Sequence, residues 1–132
     1  RDNLVLGGER GGIDGAHLLT PMAYLIHTGR IVQNSQPVPM GLVARLNTNG
    51  QAISIAAKHA ALGVKLDAGA LRRGVTADSK VAMTFRGGTH DLWIRYWLAA
   101  AGINPETDVS TIVVPPPQMV ANMRVGTMDA FC

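Results

Sequence analysis

Residues 81–102, VAMTFRGGTHDLWIRYWLAAAG, constrain the fold more than any other stretch of the chain. VAMTF is an apolar run of strand length, and Arg86-Gly87-Gly88 lets the backbone turn tightly after it. A helical pattern then runs over 90–101 and stops at Gly102. The same alternation continues downstream. VSTIVV, 109–114, reads as a strand, Pro115 to Pro117 start a helix to about Val125, and MDAFC, 128–132, reads as a further strand. Strand–helix–strand–helix–strand predicts an open α/β unit with parallel pairing. The 132 residues fit one compact domain, and 47% apolar with 16% charged is too little charge for a disordered chain. Cys132 is the single cysteine, so intramolecular disulfides and Cys-based zinc sites are excluded. No apolar run reaches the ~18 residues of a membrane span.

The first half carries weaker signals. Residues 1–8 resemble the end of a helix closed by Gly7-Gly8, and GIDGAHLL, 12–19, reads as a short buried strand. Thr20 as N-cap and Pro21 as first helical residue predict a helix to about Thr28, ended by Gly29. PMGLVARL, 39–46, and QAISI, 51–55, read as strands around an NTNG turn, and 56–63 and 66–74 carry helical patterns. GGIDGAH, 11–17, and GTMDAFC, 126–132, form a weak internal repeat, either two similar lobes or common helix-to-strand turn chemistry. The chain starts without Met and stops inside a predicted strand, so it reads as an internal piece of a longer protein.

Ligands of open α/β sheets bind beyond the carboxyl ends of the strands, and a helix N-terminus suits an anion. Thr89 is expected to cap the helix, and His90 then sits in its first turn facing the crevice. A capped helix with an incidental histidine is the plain alternative. Asp91 is expected to complement the helix dipole rather than to orient His90. Trp93, Tyr96 and Trp97 belong to a helix apolar nearly all round, which predicts core. Gln51 opens a strand, either as a solvated turn residue or with its amide offered to a cleft.

Other chemistries find little footing. There is no GxGxxG and no P-loop. His17, His27 and His59 lack metal-ligand spacing, so no metal or cofactor is expected. With no GxSxG and no signature around Cys132, no catalytic residue is assigned and an enzyme is not expected. The net charge of +3 and pI of about 9.5 favour anions, but the twelve Lys and Arg are scattered, so no nucleic-acid partner is expected.

GQAISIAAKH, FRGGTHDLWIRYWLAAAGINPETDV and IVVPPPQMVANMRVGTMDAFC, with GGIDGAHLLTPM upstream, resemble the nitrate-binding proteins of ABC-type nitrate and nitrite importers, over nearly the whole chain. The resemblance implies a type II periplasmic-binding-protein fold with the anion held between two lobes. Residues 1–50 would be part of the first lobe and 51–132 most of the second, with a crossing strand at about 46–55. It carries two nitrate contacts onto this chain: Gln51 in GQA and His90 in GGTH. Gly88, Thr89 and Arg86 would stand behind them. Arg86 departs from the Pro expected in that loop, and either raises the local positive potential or points to solvent. The family's other contacts lie outside this chain.

The implied role is a periplasmic or membrane-anchored receptor that passes nitrate or nitrite to a membrane permease. A cytoplasmic nitrate sensor acting on a regulatory partner and a bicarbonate-binding receptor share much of the pattern. Nitrate is acceptor-only, so its site should consist of donors such as His90, the Gln51 amide and helix N–H groups. Bicarbonate carries an O–H and also wants an acceptor, which the Gln51 carbonyl could provide.

Overall fold

The computed structural model describes residues 14–31, 36–48, 50–64 and 68–132. The helix expected at 1–8 and the start of the strand expected at 12–19 lie outside these. The chain divides into two compact units, Arg1–Thr48 and Asn49–Cys132.

In the first unit, helix α1 spans Thr20–His27 and buries Ala23 and Ile26. Leu19, not Thr20, is its N-cap, and Thr20 is already helical, with Pro21 in the first turn. Proline's fixed φ suits that position, so the helix starts one residue early and without a side-chain cap. At the other end, Thr28 Oγ1 donates to the Tyr24 carbonyl at 2.9 Å. The returning chain is pinned by two bonds: Val38 N–H donates to the Ile26 carbonyl at 3.2 Å, and Met40 N–H to His27 Nδ1 at 3.1 Å. The strands expected at 12–19 and 39–46 are not formed at any described residue. Val43 is fully exposed, and Leu42 and Leu46 are about 70% exposed. An alternating apolar run becomes a strand only where a neighbour pairs its backbone and buries one face, and here no described residue does.

The second unit is a four-stranded sheet in the order β1-β4-β2-β3. Its strands are β1 (Ser54–Ile55), β2 (Lys80–Met83), β3 (Ser110–Val113) and β4 (Ala130–Phe131). β3, β2 and β4 are mutually parallel, with Ala82 level with Ile112 on one side and Phe131 on the other. β1 is antiparallel to β4, pairing Ile55 with Ala130. The strand expected over 51–55 is thus shortened to two residues. Helix α2 (Thr89–Ala100) links β2 to β3, and α3 (Pro116–Arg124) links β3 to β4.

The period of two in β2 explains the two-sided core. Val81 and Met83 join Leu71, Ile94, Leu98 and Ile103 in one cluster. Ala82 joins Val114, Met119 and Met128 in the other. So α2 packs on one face and α3 on the other, as the crossover pattern requires. Helix α2 is not apolar core all round, contrary to the reading of its sequence. Ile94 and Leu98 are fully buried, whereas Leu92, Trp93 and Tyr96 are at least half exposed. Where helices were expected at 56–63 and 66–74, the described residues form 3₁₀ helices, Ala57–Leu62 and Ala68–Arg73, and residues 66 and 67 lie outside the described ones. Segments this short gain few i→i+4 bonds, and the tighter turn satisfies them.

Candidate functional site

The sheet directions decide which residues share an end. β1 runs against β4, so the start of β1 lies with the finishes of β2, β3 and β4. Gln51, three residues before β1, and the turn leaving β2 towards His90 both lie at this end. Gln51 is exposed and His90 is half-buried. One strand, β4, lies between β1 and β2. β1, which Gln51 precedes, and β2, which the turn to His90 follows, are therefore about 10 Å apart.

The turn after β2 is tightly built. Gly87 has φ 74°, a left-handed conformation that other residues rarely adopt. Gly88 is buried, and its N–H donates to the Phe85 carbonyl at 3.2 Å. A Cβ on Gly88 would lie 3.2 Å from both Phe85 Cδ1 and that carbonyl oxygen. Gly88 is also the N-cap of α2, which corrects the expectation for Thr89: Thr89 is the first helical residue, and no side chain caps the helix. The first bond of the helix runs from Leu92 N–H to the Gly88 carbonyl at 3.0 Å. The N–H groups of Thr89, His90 and Asp91 therefore precede the helix's own ladder and point out of its positive end.

Asp91 staples this turn. Its carboxylate accepts from Gly87 N–H at 2.7 Å and from Arg95 Nε at 2.5 Å. Arg95 also pairs with Glu106 and donates through Nη2 to Thr111 Oγ1 at 3.0 Å. Arg86 donates through Nη2 to the Thr111 carbonyl at 3.1 Å, so its guanidinium is committed to the β3 edge. Thr84 Oγ1 lies within hydrogen-bond distance, 3.2 Å, of His90 Nδ1. Reading by motif missed Thr84. Its only signal was its place just past the buried strand, six residues before His90.

A second polar cluster occupies the opposite end of the sheet. Asp129 Oδ1 accepts from His59 Nε2 at 2.7 Å and from Lys58 Nζ at 2.9 Å, and Oδ2 accepts from Lys80 N–H at 2.8 Å. Burial alone would push the Asp129 carboxyl up. Lys58, His59 and the Lys80 N–H outweigh it and hold it below its ordinary value. The cluster ties the segment after β1 to the starts of β2 and β4, and every oxygen of Asp129 is used. Burial also pushes the Cys132 thiol up, which keeps it protonated. Among the described residues, no group of three or more His, Cys, Asp or Glu is arranged to hold a metal ion, and no helix is long and apolar enough to cross a membrane.

The NMT1-like family matches this chain over residues 1–132. The nitrate/nitrite binding protein NrtA of Synechocystis sp. is 58% identical over 134 residues, covering 100% of this chain and 30% of that protein. The bicarbonate-binding protein CmpA of Synechococcus elongatus is 42% identical over 138 residues, covering 99% of this chain and 30% of that protein. The crystal structure of the periplasmic nitrate-binding protein NrtA from Synechocystis PCC 6803 superposes with a TM-score of 0.85 at 58% identity, over 99% of this chain and 34% of that one. The chain therefore folds as a part of an α/β, type II periplasmic-binding-protein fold. It spans about 30% of the length of the curated relatives it matches.

Proposed function

This chain belongs to the NMT1-like family, and from that premise we propose that the protein carrying it is the substrate-binding component of an ABC importer, holding nitrate or nitrite in a cleft between two lobes. His90 and Gln51 are its contacts from this part of the chain. His90 donates through its imidazole, and the N–H groups of the first turn of α2 add positive potential beneath the anion. Gln51 donates through its amide from the neighbouring edge of the cleft. Gly88 holds the turn close, Thr89 opens the helix, and Arg86 braces the loop against β3. The protein binds and releases its anion unchanged, with no cofactor and no catalytic group, and hands it to a membrane permease on the outer face of the membrane.

The observation that carries this reading is the shared sheet end of Gln51 and His90. One residue is exposed and the other half-open, and neither is consumed by the hydrophobic core. Gln51 and His90 lie beyond the ends of strands about 10 Å apart, and a small planar anion would accept N–H···O bonds near 2.9 Å from both. A bicarbonate receptor is the second reading, favoured by the CmpA relative and by the Gln51 carbonyl as an acceptor. A cytoplasmic sensor is separated from a receptor by the location of the full-length protein. Calorimetric titration of that protein with nitrate, nitrite and bicarbonate tests the ligand. Saturable binding of nitrate or nitrite is expected, and binding of bicarbonate alone would overturn the reading.

A further inference from the structure

We infer that Thr84 is a positioning residue for this site: its hydroxyl donates to His90 Nδ1 and fixes the neutral imidazole as the Nε2–H tautomer, so that the ring offers the anion a donor rather than a lone pair. The inference rests on the reading above that His90 touches the anion. A neutral imidazole has one donor and one acceptor nitrogen, and the partner of one decides the role of the other. Thr84 is half-buried, and His90 Nδ1, 3.2 Å away, is the hydroxyl's one hydrogen-bond partner among the described residues. If Nδ1–H donated to Oγ1 instead, the hydroxyl proton would lack a protein acceptor among the described residues and would have to turn to solvent. Nε2 would then turn a lone pair towards the oxygens of the anion.

The hydroxyl also serves the charged ring. When the imidazole is protonated, the hydroxyl rotates and accepts from Nδ1–H, and Nε2 still donates. In the charged ring both nitrogens donate whatever Thr84 does, so Thr84 decides the role of Nε2 in the neutral ring alone. It holds the ring from the sheet side while the first turn of α2 holds it through the backbone. The consequence is selectivity. Nitrate and nitrite offer only acceptors, whereas the O–H of bicarbonate finds no lone pair on His90.

The test uses the full-length protein labelled with ¹⁵N in its histidine rings, with the His90 signals assigned by their loss in His90→Ala. At a pH where the ring is neutral and nitrate is bound, Nε2 should be protonated and Nδ1 should be the bare, hydrogen-bonded nitrogen. Thr84→Val, similar in shape but without the hydroxyl, should give a mixture of tautomers and weaken nitrate binding roughly two- to tenfold. Thr84→Ser should restore both. A protonated Nδ1 in the nitrate-bound wild type would overturn the inference, and this spectrum decides even if Thr84→Val fails to fold. So would a folded Thr84→Val protein with unchanged tautomer and affinity. If His90→Ala leaves nitrate affinity unchanged, the underlying reading fails and the inference falls with it. If His90→Ala weakens binding and Thr84→Val does not, only the inference fails.

Discussion

Gly88 is the residue on which the geometry of the loop turns. It is buried between β2 and α2, and an added Cβ would press on the Phe85 carbonyl, a backbone atom with little freedom to move. Gly88→Ala is therefore expected to cost about 1–3 kcal/mol, seen as a lowered Tm. Asp91 holds the same loop by a different force. Its replacement by Ala strands the Gly87 N–H and one arm of Arg95, and should cost roughly 1.5–3 kcal/mol by denaturant unfolding. The loop was legible in sequence as two glycines before a helix, and Asp91 as a first-turn acid. That Gly88 rather than Thr89 caps the helix was not legible, because a threonine in the first turn and a threonine at the cap leave the same mark in a sequence. The commitment of Arg86 to Thr111 was equally hidden, since a contact between residues 25 apart depends on which strand lies beside β2.

The joint between elements at the other end of the sheet depends on Asp129. Its carboxyl lies below the usual carboxylate range when folded, so the folded state binds that proton less tightly than the unfolded state. The stability it contributes is present in full above the ordinary carboxylate pKa and is lost as pH falls through the lower folded value. Asp129→Asn should reduce Tm at neutral pH and flatten the loss of stability on acidification, as followed by circular dichroism. On helix α2, burial separates the two faces. Leu98→Ala should cost about 2–5 kcal/mol, clearly more than Tyr96→Ala, because Leu98 is fully buried and Tyr96 is 70% exposed. The parallel trio of strands was legible because each is a short run rich in apolar residues joined to the next by a helix that ends in a turn signal, although only β2 is buried along most of its length. The strand expected at 39–46 failed because its apolar alternation met no partner strand among the described residues. The all-apolar reading of α2 failed because composition does not say which side of a helix meets the sheet.

At the scale of the whole molecule, the family and the fold were legible from long motifs, above all GGTHDLWIRYWLAA and VVPPPQMVANM. The candidate site was legible only in part. His90 and Gln51 were carried over by motif, while Thr84, the neighbour of His90, emerged only from the packed structure. Because the chain spans about 30% of its curated relatives, the 132 residues alone should bind nitrate far more weakly than the full-length protein, or not measurably, by the same titration. Whether His90 grips an anion at the finish of β2 is decided by calorimetric titration of nitrate into the full-length protein and its His90→Ala variant. A hydrogen bond to a charged group contributes roughly 1.5–3 kcal/mol, so the variant should bind about one to two orders of magnitude more weakly, with Gln51→Ala losing less. Equal nitrate affinity in the wild type and a folded His90→Ala protein would mean that His90 does not hold the anion.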